Sequence, residues 1–112
     1  MDKNIIHHVI PNPEGGWDIR RTGCKRPSVH TKNKDEALRR GRKISRNQGG
    51  ELIIHRKNGI VQSSESYGKN GKLISSVNYG KDGEVTNSYV SELGVEKEVR
   101  IALNYNLEDV TV

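Results

Sequence analysis

The sequence predicts an α+β fold: an antiparallel ββαβ sheet-plus-helix domain, extended by a β-meander of 12-residue hairpin repeats and ended by a short C-terminal helix. Three observations predict it. Short β-branched runs punctuated by Gly and Pro mark the first strands, and residues 33–49 carry apolar side chains at helical spacing. In the second half, Asn-Gly or Asp-Gly recurs every 12 residues.

The first strand is Ile5-Ile6-His7-His8-Val9-Ile10, stopped by the dense turn signal Pro11-Asn12-Pro13-Glu14-Gly15-Gly16. Trp17-Asp18-Ile19-Arg20-Arg21 then alternates, which puts Trp17 and Ile19 on one face and Asp18 and Arg20 on the other. Thr22 to Lys32 is polar, contains Gly23 and Pro27, and reads as a contact loop carrying Lys25, Arg26, His30 and Lys32.

Asn33 is placed to cap a helix, with Glu36 at the third position, and Gly49-Gly50 is placed to end it. Ala37, Leu38, Gly41 and Ile44 share its inner face, while Arg39, Arg40, Arg42, Lys43 and Arg46 point away. A glycine on the inner face implies close approach to a sheet, since it costs roughly 1 kcal/mol relative to alanine in a helix. Glu51-Leu52-Ile53-Ile54-His55 supplies the next strand, and the repeats at Asn58-Gly59, Asn70-Gly71 and Asp82-Gly83 imply further antiparallel strands joined by type I′ turns. Tyr67, Tyr79 and Tyr89 recur between those turns, and Val95, Val99, Ala102 and Leu103 fall at the spacing of a terminal amphipathic helix. The organisation expected is a basic domain over residues 1–68 and a meander extension over 69–112, the alternative being one continuous domain.

At 112 residues, 31% hydrophobic, without Phe and with Trp17 as the sole tryptophan, the chain can bury only a modest core of Ile, Val and Leu. No apolar run approaches the roughly 20 residues of a membrane helix, and the opening residues lack the apolar core of a secretion signal. The lone Cys24 has no internal partner. Together these point to a cytoplasmic protein that makes no membrane contact. The charge is divided: residues 1–60 carry 14 Lys/Arg against 6 Asp/Glu, residues 61–112 carry 5 against 8, and the whole chain has a net charge of +5. A basic front half is attracted to polyanions, and an acidic back half is not.

The ordered set His8-Val9-Ile10-Pro11, Gly15-Gly16-Trp17-Asp18-Ile19, Ser28-Val29-His30-Thr31, Asp35-Glu36-Ala37 and Arg46-Asn47-Gln48-Gly49-Gly50-Glu51-Leu52-Ile53-Ile54-His55, running on to Tyr67-Gly68, resembles a bacterial family, domain of unknown function 2188. The resemblance covers roughly residues 5–68 and implies a ββαβ domain with no established activity. In layout alone the chain also looks like the YegP-like domains and the RNA:DNA-hybrid-binding domain of some ribonucleases H, and layout does not fix function. Residues 69–112 extend beyond what is recognised.

No catalytic constellation, metal cluster or nucleotide fingerprint can be read from the chain, so no enzyme activity, metal or cofactor is expected. His7 and His8 are adjacent and point to opposite faces, while His30 and His55 are isolated in sequence. Trp17 reads first as a core residue. The expected function is low-specificity nucleic-acid binding, DNA or RNA, through Arg20, Lys25, Arg26, Lys32, Arg39, Arg42, Lys43 and Arg46. The partner could equally be an anionic protein surface, and the alternative function is a protein-interaction module, a regulator or inhibitor of a partner protein or a homodimer, acting through the β-meander and C-terminal helix. Its interface would be Tyr67, Tyr79, Tyr89, Val95, Val99 and Leu103.

Overall fold

The computed structural model describes residues 5–91. These residues form one helix, α1 (Lys34–Gln48), and one seven-stranded sheet. The strands are β1 (Ile6–Pro11), β2 (Trp17–Arg21), β3 (Val29–Thr31), β4 (Glu51–His55), β5 (Val61–Tyr67), β6 (Leu73–Tyr79) and β7 (Val85–Val90), in the spatial order β3-β2-β1-β4-β5-β6-β7. The expected boundary at residue 68 falls between β5 and β6, which pair in the same sheet. No described helix is long and apolar enough to cross a membrane.

Four expectations need correction or relocation. The sheet is mixed, because β1 pairs with β4 in parallel, Val9 opposite Ile54. The intervening β2, β3 and α1 form the crossover that a parallel pair requires. The segment read wholly as a loop contains β3, which pairs antiparallel with β2 and sets His30 opposite Asp18. The hairpin turns are not type I′, because among the described residues none other than glycine has positive φ. Instead the Gly59 N–H donates to the Arg56 carbonyl (2.8 Å) and the Arg56 N–H to the Ile60 carbonyl (2.7 Å), leaving only Gly59 left-handed (φ 91°). The Gly68–Lys72 and Gly80–Glu84 turns are bonded in the same way. This is a three-residue loop ending in a glycine bulge, so the Asn or Asp of each pair stays right-handed. The proposed terminal helix, with Val95, Val99 and Leu103, lies outside the described residues.

The helix begins and ends through local chemistry. Asn33 Oδ1 accepts from the Glu36 N–H (2.9 Å), Asp35 and Glu36 complement the positive end of the dipole, and Gly49 closes the helix in the left-handed region (φ 65°). Its inner face is Ala37, Gly41 and Ser45. A Cβ on Gly41 would lie 3.1 Å from Leu52 Cδ1 and 3.3 Å from Val9 Cγ2, so glycine is what lets α1 lie flat on β1 and β4. The core is Val9, Ile19, Ala37, Leu52 and Ile54, with Trp17, Val29, Leu38 and Ile44 packed around it. Burying each large aliphatic contributes about 1.5–3 kcal/mol. The helix packs on β1 to β5, whereas β7 is exposed along its length up to Tyr89.

Candidate nucleic-acid interface

Arg39, Lys43 and Arg46 are exposed and recur at i, i+4 and i+7, so they form one stripe on the outer face of α1. Among the described residues Arg39 and Lys43 have no carboxylate partner. Both help line a shallow cleft of about 450 Å³ with Val29, Ile44 and Asn47. Arg40, on the same side, lies 3.6 Å from Glu36 in an exposed i,i+4 pair, which holds it only weakly.

Arg42 is engaged elsewhere. Its Nε and Nη2 donate to Glu65 Oε1 and Oε2 at 3.0 and 2.9 Å, a two-pronged bond to β5 that raises the arginine's pKa further. Tyr67 Oη donates to the same carboxylate (2.7 Å), and burial followed by that bond pushes its pKa up to about 12. The Arg46 guanidinium lies 5.8 Å from the Tyr67 ring centroid, so the buried Tyr67 props the end of the stripe.

The remaining cations are dispersed. Lys25 and Arg26 are exposed in the segment between β2 and β3, and Lys32 is exposed just beyond β3. Arg20 stands opposite His8 on the face of the sheet away from α1. The structure thus brings Arg39, Lys43 and Arg46 together and separates Arg20 from them. Of the tyrosines named for a protein interface, Tyr67 is buried beneath α1, Tyr79 is half-buried, and Tyr89 is 51% exposed.

Two polar clusters on the sheet face away from α1 escaped the sequence reading. In one, buried Asp18 accepts from Asn12 Nδ2 (3.0 Å) and pairs with His30 Nδ1 (2.6 Å). In the other, His8 Nδ1 meets His55 Nε2 at 2.9 Å, His8 Nε2 meets Thr22 Oγ1 at 3.0 Å, and His55 Nδ1 meets the Gly59 carbonyl at 2.9 Å. Burial first, then His55 and His7, lower the pKa of His8. The period-2 pattern does put His8 on this face, but pairing it with His55 requires the parallel β1–β4 register. Among the described residues no group of three or more His, Cys, Asp or Glu is placed to hold a metal ion.

Residues 7–67 match the model of a family described as an uncharacterized protein conserved in bacteria, DUF2188. The chain is also similar to the uncharacterized protein YdaT of Bacillus subtilis (strain 168), with 37% identity over 59 residues. That match spans 53% of this chain and 39% of the relative, so the chain covers well under half of the relative's length. No solved structure matches.

Proposed function

We propose, given that the chain belongs to the DUF2188 family conserved in bacteria, that it binds nucleic acid with low sequence specificity through the outer face of α1. The observation that supports this reading is the stripe of Arg39, Lys43 and Arg46, exposed on one side of a rigid element. Such a stripe suits phosphates, which take cations at regular spacing and carry no base information. Arg42 is left out of the contact set because Glu65 already neutralises it. Lys25, Arg26 and Lys32 would extend the contact from the flanking loops, and a cytoplasmic location fits such a partner.

The test is fluorescence anisotropy with a labelled oligonucleotide across a series of salt concentrations. Replacing Arg39, Lys43 and Arg46 together by Ala should weaken binding to every sequence and reduce the salt slope by about 3. Undiminished binding would refute the stripe.

A second reading, a protein-interaction module, has an observation of its own. Among the described residues β7 is the last strand of the sheet, with Val85 59% and Tyr89 51% exposed, and it carries none of the charges or prolines that usually blunt a sheet edge. The same triple variant separates the two readings, since it leaves β7 untouched.

A further inference from the structure

Near the N-terminal end of α1 lies a second cleft, of about 500 Å³. Pro11, Pro13 and the half-buried Trp17 form its apolar wall, Lys32 and Lys57 its cationic rim, and Glu14 is the one carboxylate lining it among the described residues. The volume is within the roughly 300–1,000 Å³ of small-molecule sites. One wall is a fixed turn. The Asn12 N–H donates to the Gly16 carbonyl (2.9 Å), the Gly15 N–H donates to the Asn12 carbonyl (2.9 Å), and the Glu14 N–H donates to Asn12 Oδ1 (2.8 Å). Gly16 is left-handed (φ 78°), and a Cβ there would collide with the Thr31 carbonyl oxygen, so the turn and β3 sit in direct backbone contact.

The surroundings concentrate positive charge. The Lys34 ammonium stands 4.8 Å from the centroid of the Trp17 ring without lining the cleft, and it also bonds Gln62. Burial, and then Arg56, lower the pKa of Lys34. An indole beside several cations complements a ligand that is flat and aromatic at one end and anionic at the other. A nucleotide has that chemistry, and it presents its base for stacking only when unpaired.

We propose that this cleft seats one nucleotide of a single strand, with the base against the Trp17 indole and the phosphate held by Lys32 and Lys57. The proposal rests on the reading of α1 as a nucleic-acid contact and adds the position where a base is held. Trp17 is the sole tryptophan, so all indole emission comes from the residue that walls this cleft.

The full chain is titrated with thymidine monophosphate, thymidine, inorganic phosphate and an end-labelled single-stranded thymidine oligomer. Indole emission and label anisotropy are followed together. The monophosphate should quench the indole at lower concentration than thymidine or phosphate, and Lys32→Ala with Lys57→Ala should weaken that response about tenfold. Replacing Arg39, Lys43 and Arg46 by Ala should spare the monophosphate response and weaken the oligomer. All five side chains are exposed, so neither variant disturbs the core. Oligomer binding that leaves the indole unchanged overturns the cleft and keeps the α1 reading. Monophosphate quenching in a protein that binds no oligomer overturns both the α1 reading and the seating of a strand, and leaves the cleft as a site for a free nucleotide only. Silence in both channels overturns both.

Discussion

The strands under α1 and the strands beyond it belong to one hydrogen-bonded sheet but are buried very differently. Val9 on β1 and Ile54 on β4 are 0% and 1% exposed, whereas Val85 and Tyr89 on β7 are 59% and 51% exposed. Both regions are hydrogen-bonded to neighbouring strands, β1 and β4 on two sides and β7 on one. A backbone hydrogen bond contributes only about 0.5–1.5 kcal/mol net, so burial separates the two regions more than their ladders do. The difference is the apolar layer between α1 and β1, β2 and β4, so the stability of the sheet is concentrated at that end. The far strands extend the sheet while adding little buried surface.

The sharpest way to break this contrast is at Gly41. Gly41→Val forces a branched side chain toward Leu52 and Val9, and it should cost about 1–3 kcal/mol, read as a lower urea midpoint. An unchanged midpoint would mean that the contact between α1 and the sheet does not hold the fold.

Acidification should have a smaller effect in the same region. His7 is depressed by burial and then Arg21, and His8 by burial and then His55 and His7, both from an ordinary value of 6.5. The folded chain therefore binds fewer protons at these sites than the unfolded chain. Their contribution is present above about pH 6.5 and is lost as the pH falls below it. Thermal melts at pH 7.5 and pH 5.5 should show the lower midpoint at pH 5.5, and His8→Asn should narrow the gap. Equal melts in the parent protein would remove the histidines from the account.

The smallest effect is expected on β7. Val85→Thr keeps the β-branch and changes an exposed side chain, so its stability should stay within about 0.5 kcal/mol of the parent by the same urea titration. A larger loss would show that the far strands are covered in solution and would erase the contrast.

What was legible in the sequence was local. Asn33 and Gly49 bound the helix through bonds spanning a few residues, and Gly41 announced a close approach because glycine is otherwise costly there. The features that were missed depend on register between distant segments. Asp18 meets His30 only because β3 pairs with β2, and His8 meets His55 only because β4 returns parallel to β1. Arg42 looked like another outward cation until Glu65 was placed under it, 23 residues away. The extra residue at the Ile54/His55 irregularity resets the alternation along β5, which period-2 reasoning from β4 does not anticipate.

The row from Thr22 to Gly59 has a direction. The Gly59 carbonyl can only accept, so His55 Nδ1 carries its hydrogen and His55 Nε2 presents a lone pair. His8 Nδ1 must then donate to it, which leaves His8 Nε2 to receive the Thr22 hydroxyl. One added proton is accommodated at His8 Nε2 by rotation of that hydroxyl. The hydrogen on His8 Nδ1 lies between the two rings, and a single N–H···N bond of 2.9 Å ties β1 to β4 beside their backbone ladder.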